Sequence, residues 1–467
     1  MTISDKSAIS REPSHPVCRR FRMIRCDSSC LLVWRVCLRL VCLFLLVCLA
    51  SASPLLADNW PNWRGPALDG VAAGTGYVTS WSPTENVLWR VKLPGLGAST
   101  PAVWDDKVIV TCAIDGKDAA ICLDRNGKEV WRSTLNPEKP GKHKKATGSN
   151  PSPVTDGKNV WVYYKSGELV CLRMNNGSIA WQTNLQERFG KDTLWWDLGT
   201  SPVLSARAVI VAVMQSGPSY LVAFDRLTGK PLWKHDRMLT APEEAAQSYS
   251  TPVVVKGDPK KKEPKEMLVV LGADHVTAHD AATGRELWRV GGLNPAGDKF
   301  FRSIASPVVA GDFVIAPYAR GNTITGIRRG GAGDVTASHV AWIRKDIGSD
   351  VPTPATKDGR LIVCTDKGVV ACLDAPSGAT LWTGELPKNR NAYSSSPVLM
   401  EGMDGKIIVT REDGHSTIVA APATQADSFS VIGEGSLDEM TVATPVCVDG
   451  QIFLRTHDSL WCIGKKE

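Results

Sequence analysis

Ala223-Phe224-Asp225-Arg226-Leu227-Thr228-Gly229-Lys230-Pro231-Leu232-Trp233 reads as the end of one strand, a tight turn and the start of the next strand. The Asp225 carboxylate and the Thr228 hydroxyl can hydrogen-bond the turn backbone, and Gly229 supplies the positive φ that the turn requires. Trp233 then sets a large flat ring at the head of the following strand. The pattern returns from Ala278 to Trp288 and, more loosely, from Cys372 to Trp382. A copy from Cys171 to Trp181 has Arg173 in place of the aspartate, and one from Cys122 to Trp131 is a residue shorter.

Outward from that turn, a larger unit repeats. Each unit opens with Ser/Thr-Pro and an apolar residue, at Pro101, Pro153, Pro202, Pro252, Pro307, Pro354, Pro397 and Pro445. These prolines lie about 49 residues apart on average, within the range of propeller blades. Proline suits the first residue of a strand, where its missing N–H forfeits no ladder bond. Four short strands fit each unit. In the first they are Pro101–Trp104, Lys107–Thr111, Ala120–Leu123 and Glu129–Trp131, β-branched or apolar runs between Gly/Asp turns. The expected fold is therefore all-β, an eight-bladed β-propeller of four-stranded antiparallel blades.

The eighth unit has only three strands, ending at Ser459–Ile463, whereas a spare strand, Asn86–Leu93, precedes the first Ser/Thr-Pro. The N-terminal strand is expected to complete the last blade, which pairs the open sheet edge and seals the ring. An open solenoid, the alternative, needs no such shifted strand. The expected organisation is a leader over 1–57, an N-terminal extension over 58–85 and the propeller over 86–467.

Net charge is +6, and eight Lys/Arg against three Asp/Glu in residues 1–57 account for +5 of it. The near-neutral remainder argues against nucleic-acid binding. Arg19, Arg20, Arg22 and Arg25 precede the apolar run Leu40–Ala50, the form of an export signal. Ala52 and Ala57 are the candidate cleavage points, and Met23 is a candidate start. A retained anchor is the alternative, but eleven residues are too few for a bilayer core of ~30 Å. Cys48 lacks the small residue before it that a lipoprotein site wants. The expected location is the periplasm or cell envelope, with no membrane span after signal removal.

Six of the thirteen cysteines lie in the leader, which leaves an odd seven. Cys122, Cys171, Cys372 and Cys462 share one repeat position, where other copies have Ala, and read as small buried core residues. Cys112 and Cys122 lie on neighbouring strands, where a bridge depends on register. No C-x-x-C follows the leader, so neither a zinc site nor a redox pair is expected.

The repeat, with its A-x-D-x-x-T-G-x-x-x-W signature from Ala223 to Trp233 and from Ala278 to Trp288, resembles the PQQ-type β-propeller repeat. That family includes quinoprotein alcohol dehydrogenases and the outer-membrane assembly scaffold BamB. The segments Asn59-Trp60-Pro61-Asn62-Trp63-Arg64-Gly65-Pro66 and Gly330–Trp342 look like exported PQQ-repeat proteins of unassigned function. The resemblance implies that Trp89, Trp131, Trp181, Trp233, Trp288, Trp342 and Trp382 pack between adjacent blades as structural residues. The seventh blade departs from it: Ala420–Ile432 has neither Asp-x-x-Thr-Gly nor Trp, and is expected to be the least stable. For the dehydrogenases the resemblance implies a tricarboxylate quinone against calcium, a carboxylate base, and commonly adjacent cysteines. This chain has no Cys-Cys after the leader, and neither calcium set nor base falls on a matching motif. No catalytic residue, metal or cofactor is expected; PQQ and calcium belong to the alternative only.

Three further features have ordinary readings. Gly326–Gly333 lacks G-K-[ST] and precedes a strand, so it is a long turn of blade five rather than a phosphate loop. His275 and His279 have no third ligand. Lys260–Lys262 and the run Lys142–Lys145 read as solvated loop tips. More informative are the long loops between blades, at 136–150, 185–199, 236–248, 291–302 and 434–440, which a propeller gathers on one face. They carry Trp195, Trp196 and Asp197, and Tyr249, Arg302 and Tyr393 stand just before the inner strands. Exposed, the paired Trp195 and Trp196 would form an interaction hot spot or a ring-stacking platform; folded down, they would plug the channel. The expected function is a monomeric, non-enzymatic exported scaffold that binds an envelope protein or glycan through this face; the alternative is a PQQ-dependent dehydrogenase of alcohols or sugars. A glycan hydrolase would need two facing carboxylates.

Overall fold

The computed structural model describes residues 58–400, 405–420 and 429–466. The export signal, its cleavage points, the leader cysteines and most of the Ala420–Ile432 segment lie outside these residues.

Along the described residues eight four-stranded antiparallel blades follow one another, one per Ser/Thr-Pro unit, and the sheet of blade four gains a fifth, parallel strand. In blade three the strands are Val203–Leu204, Ala208–Val213, Tyr220–Asp225 and Pro231–Asp236, in sequential order. The inner strands are apolar on both faces because each blade is sandwiched between two others; residues 209–212 are all buried. The ring closes as expected. Val87–Lys92 pairs antiparallel with Ser459–Ile463, with Trp89 opposite Cys462, and completes blade eight from the other end of the chain. Among the described residues no helix is long and apolar enough to cross a membrane.

The quoted turn forms as its residues dictate. Asp225 Oδ1 accepts from the Thr228 N–H and hydroxyl, both at 3.0 Å, and Gly229 has φ +67°. Ala223 faces Trp233 across the ladder, and a bulge follows at once, before Phe224 pairs with Pro231. Bulges of this kind increase local twist. The small residue opposite tryptophan recurs as Cys122, Cys171, Ala278, Gly326 and Cys372. Cysteine at this position is thus a buried small residue, and all seven described cysteines are free and buried. The Cys112–Cys122 bridge is excluded by register: Cys112 pairs with Ala119, while Cys122 pairs with Ile109.

Each tryptophan serves the next blade. A Cβ on Gly229 would lie 2.6 Å from the Trp181 ring, and the same closeness joins Gly378 to Trp342 and Gly127 to Trp89. The indole N–H donates to a carbonyl of that same neighbouring turn: Trp89 to Arg125, Trp131 to Met174, Trp181 to Arg226, Trp233 to Ala281 and Trp342 to Ala375, at 2.7–3.2 Å. One side chain thereby supplies apolar burial and a satisfied polar contact. Trp131, Trp181, Trp288 and Trp382 are buried, whereas Trp89, Trp233 and Trp342 are half-buried.

Two blades modify the scheme. Between the third and fourth strands of blade five the chain makes a two-residue strand, Gly333–Asp334, that pairs in parallel with the outer strand of blade four opposite Trp288 and Arg289. The long turn therefore begins after Arg328, Gly326 being inside a strand, and it covers a neighbour's edge. In blade seven the size relation is inverted: Ile418 takes the small residue's place and Gly433 the tryptophan's. Trp81, from the extension, lies over Gly435 so closely that a Cβ there has no room. The missing tryptophan is supplied from elsewhere in the chain.

Candidate functional site

Residues 58–85 form a strap across the face that carries the turns between first and second strands. Trp60 pairs with Val103 of blade one, and the Pro61 carbonyl accepts from Thr155 of blade two at 2.9 Å. The strap then crosses the ring: Asp69 accepts from Thr356 of blade six, and Gly70 and Ala72 bond Leu399 of blade seven. At the crossing Arg64 is fully buried, its Nη1 and Nη2 each donating at 2.9 Å to the carbonyls of Pro397 and Pro354 on two inner strands. Burial pulls its pKa down to about 10, partly offset by the Asp69 charge. Trp63 forms the floor of the space above.

That space is a cup of about 540 Å³ opening toward the inter-blade loops. Its wall includes all eight Ser/Thr residues that precede the repeat prolines. They form a closed circuit. The N–H of each donates to the hydroxyl of its counterpart in the next blade: Thr100 to Ser152, Ser152 to Ser201, Ser201 to Thr251, Thr251 to Ser306, Ser306 to Thr353, Thr353 to Ser396, Ser396 to Thr444, and Thr444 back to Thr100, at 2.8–3.2 Å. Proline next in sequence has no N–H, so the hydroxyl circuit ties blades together at the point where the strand ladder has not yet begun.

Above the circuit stand the charged groups. Arg302 Nη2 lies 3.3 Å from Asp350 Oδ2, and its Nε lies 3.6 Å from Glu244. Asp366 accepts the backbone N–H groups of Asp350 and Val351. Burial raises the pKa of both Asp350 and Asp366; Arg302 counters the effect at Asp350, and the Asp350 charge adds to it at Asp366. Across the cup Lys145 pairs with Glu412 at 2.7 Å, and Lys142 Nζ donates to the Leu194 carbonyl at 2.9 Å. Lys142, His143 and Lys144 are exposed, as a solvated tip would be, whereas Lys145 is half-buried and ion-paired to a carboxylate of blade seven. His275 and His279 belong to no metal-binding group among the described residues. Burial drives the His279 pKa down to about 3, and its ring contacts Thr277 and the Gly284 carbonyl.

The residues singled out from the sequence divide into three kinds. Trp195 and Trp196 are 44% and 46% exposed on the rim, so they do not plug the channel; Trp63 and Arg64 do, from the opposite face. Trp196 is held by a 2.8 Å bond from its indole N–H to Glu244. Asp197 is buried, ion-paired to Lys165, and accepts the N–H groups of Lys142 and His143 at 2.9 Å. Burial opposes its ionisation, but Lys165 and these N–H donors outweigh burial and hold its pKa below the ordinary value. Tyr249 is buried beneath the rim, its hydroxyl donating to Gln247. Tyr393 is buried against Gly368, and Arg302 reaches the cup. Sequence reasoning passed over the eight hydroxyls, Asp350, Asp366 and Glu412. The hydroxyls had a signal, the residue before each repeat proline; Asp366 and Glu412 share the turn between second and third strands of their blades, and Asp350 had none.

An eight-bladed propeller with the Asp-x-x-Thr-Gly turn, the inter-blade tryptophan and a strand-swapped closure is a PQQ-like repeat protein. The profile described as "Outer membrane protein assembly factor BamB" matches residues 70–238, 255–334 and 332–459, and the chain belongs to that family. It is 26% identical over 307 residues to the outer membrane protein assembly factor BamB of Burkholderia pseudomallei, covering 65% of this chain and 70% of that protein. Among solved structures, BamB from Moraxella catarrhalis superposes with a TM-score of 0.56 at 16% identity, over 82% of this chain and 98% of that one. A quinohemoprotein alcohol dehydrogenase from Comamonas testosteroni gives 0.62 at 13% identity, over 88% and 81%. Both likenesses are of fold.

Proposed function

We propose that this protein is an exported, non-enzymatic scaffold of the cell envelope that docks a protein partner on its inter-blade loop face, in the service of outer-membrane protein assembly. The observation that carries the reading is the half-exposed pair Trp195 and Trp196 on the rim, their backbone N–H groups donating to Gln247 and to the Tyr249 hydroxyl and the Trp196 indole N–H to Glu244. Large aromatic rings fixed in an exposed position are what binding hot spots are made of. Membership of the BamB family supports the envelope setting.

The quinone alternative is less well supported. A tricarboxylate needs free cations, but in the cup Arg302 faces Asp350 and Glu244, and Lys145 is engaged by Glu412. Asp366 adds further negative charge there. Among the described residues no group of His, Cys, Asp or Glu is arranged to hold a metal. The residues do not fit the group.

A photo-crosslinking residue at position 195, compared with one at Lys260 on the opposite face, tests the proposal in intact envelopes. Adducts with outer-membrane assembly components from position 195 and not from 260 are expected. Equal labelling from both positions, or none from 195, overturns it.

A further inference from the structure

The hydroxyl circuit leaves something over. Each of its eight Ser/Thr oxygens accepts one backbone N–H, and none donates its own proton to an acceptor among the described residues. All eight residues are at least nine-tenths buried, and all line the cup. A hydroxyl carries one donor and two acceptor sites, so the wall presents a belt of O–H donors whose remaining direction is the cup itself. A buried donor left without a partner costs about 1–3 kcal/mol, which favours any occupant that accepts these bonds.

Two other features narrow the occupant. Carboxylates of Asp350 and Asp366 stand above the belt and can only accept hydrogen bonds when ionised. The floor below is the Trp63 indole, backed by the Arg64 guanidinium at 5.6 Å from its ring. An anion would satisfy the belt but be repelled by the carboxylates. A cation would suit the carboxylates but leave the belt unmet. A neutral polyhydroxylated ring satisfies both, accepting from the belt, donating to the carboxylates and laying its C–H face on the indole. The volume lies within the range of small-molecule sites, roughly 300–1,000 Å³.

We infer that the cup is a saccharide site, taking one neutral sugar unit, free or at the end of a glycan chain, with Trp63 as stacking floor and the Ser/Thr belt and Asp350 as its polar contacts. Trp196 and Asp197 border both the cup and the docking rim, but the sugar contacts named here, Trp63, the Ser/Thr belt and Asp350, are not those of the rim pair, so either reading can fail without the other.

Saturation-transfer NMR and isothermal titration on the purified protein test it. The probes are neutral monosaccharides (glucose, galactose, N-acetylglucosamine) and their di- to tetrasaccharides. At least one probe is expected to bind saturably by about 10 mM, the weak end of measurable affinity. Preference for the oligomers over the monomer marks a glycan end as the source; equal affinity marks a free sugar. Trp63→Ala and Asp350→Asn should each weaken binding by roughly tenfold or more, with near-UV circular dichroism confirming the fold. Trp63→Phe, which retains a ring face, should keep most of the affinity. Absence of saturable binding by every probe, or loss in only one of the two weakening variants, overturns the site.

Discussion

Gly229→Ala separates two costs that the repeat turn otherwise hides. Gly229 has φ +67°, and a residue with a Cβ pays roughly 1–2 kcal/mol in that region. The added carbon would also sit 2.6 Å from the Trp181 ring. That ring is tied to the Arg226 carbonyl at 3.0 Å and tilted against Phe224 with centroids 6.3 Å apart, so it cannot withdraw without giving up both contacts. Overpacking of this kind costs about 1–3 kcal/mol. Gly116→Ala isolates the first cost, since Gly116 has φ +73° with nothing within 4 Å of its added Cβ. Trp181→Ala should cost about 3–5 kcal/mol by itself, and it removes the obstacle. In that background Gly229→Ala should pay only the backbone share, giving a favourable coupling of about 1–3 kcal/mol in the double-mutant cycle. Equilibrium urea unfolding, followed by circular dichroism at neutral pH, measures all four species. Strict additivity, or a Gly229→Ala cost equal to that of Gly116→Ala, would refute the stacking argument.

Thr251→Val removes one hydroxyl of the circuit and strands the buried Ser201 N–H. It should destabilise by about 1–3 kcal/mol and speed amide exchange at Ser201, while Thr251→Ser should leave both nearly unchanged. Arg64→Lys should fail to rescue the loss of stability expected of Arg64→Ala, because one ammonium cannot reproduce the planar fork that reaches both Pro354 and Pro397; thermal unfolding reads the difference. Asp118 has its pKa raised to about 7, chiefly by burial and further by the Glu138 and Glu168 charges, with the Ser166 hydroxyl opposing. The folded state then binds the proton more tightly than the unfolded state does. This contribution is greatest below the ordinary value of 3.8, falls as pH rises toward 7, and stays lost above it. Relative to the native chain, Asp118→Asn should therefore gain stability between pH 4 and 7, on the order of a few kcal/mol; urea midpoints across that range that move in parallel for both proteins would refute the assignment.

The contribution of sequence and of tertiary structure divides along a physical line. Asp225, Thr228, Gly229 and Trp233 act within one turn, and every repeat copy reports the same local energetics, so strand order, turn type and blade number were legible in the chain. The closing strand was legible for the same reason: Asn86–Leu93 is a fourth strand found out of place. The tryptophans' place between blades was implied by the resemblance of the repeat to the PQQ-type propeller repeat. Burial of Cys122, Cys171, Cys372 and Cys462 followed from their standing where other copies have Ala.

Only the closed ring decided the rest. The Ser/Thr before each proline looked like a strand-entry signal; that its hydroxyl receives an N–H from the preceding blade depends on bringing residues about fifty apart into register around an axis. Trp63 and Arg64 occur once, in a stretch without periodicity, and their meaning lies in contacts roughly 290 and 330 residues away. Of the cup's carboxylates, Asp366 and Glu412 stand at one repeat position in blades six and seven, but nothing local says that they and Asp350 converge on one space. Repeated local interactions announce themselves in sequence because each copy repeats the same short-range physics. Single long-range contacts do not, because what selects them is a shape that exists only after the chain has closed on itself.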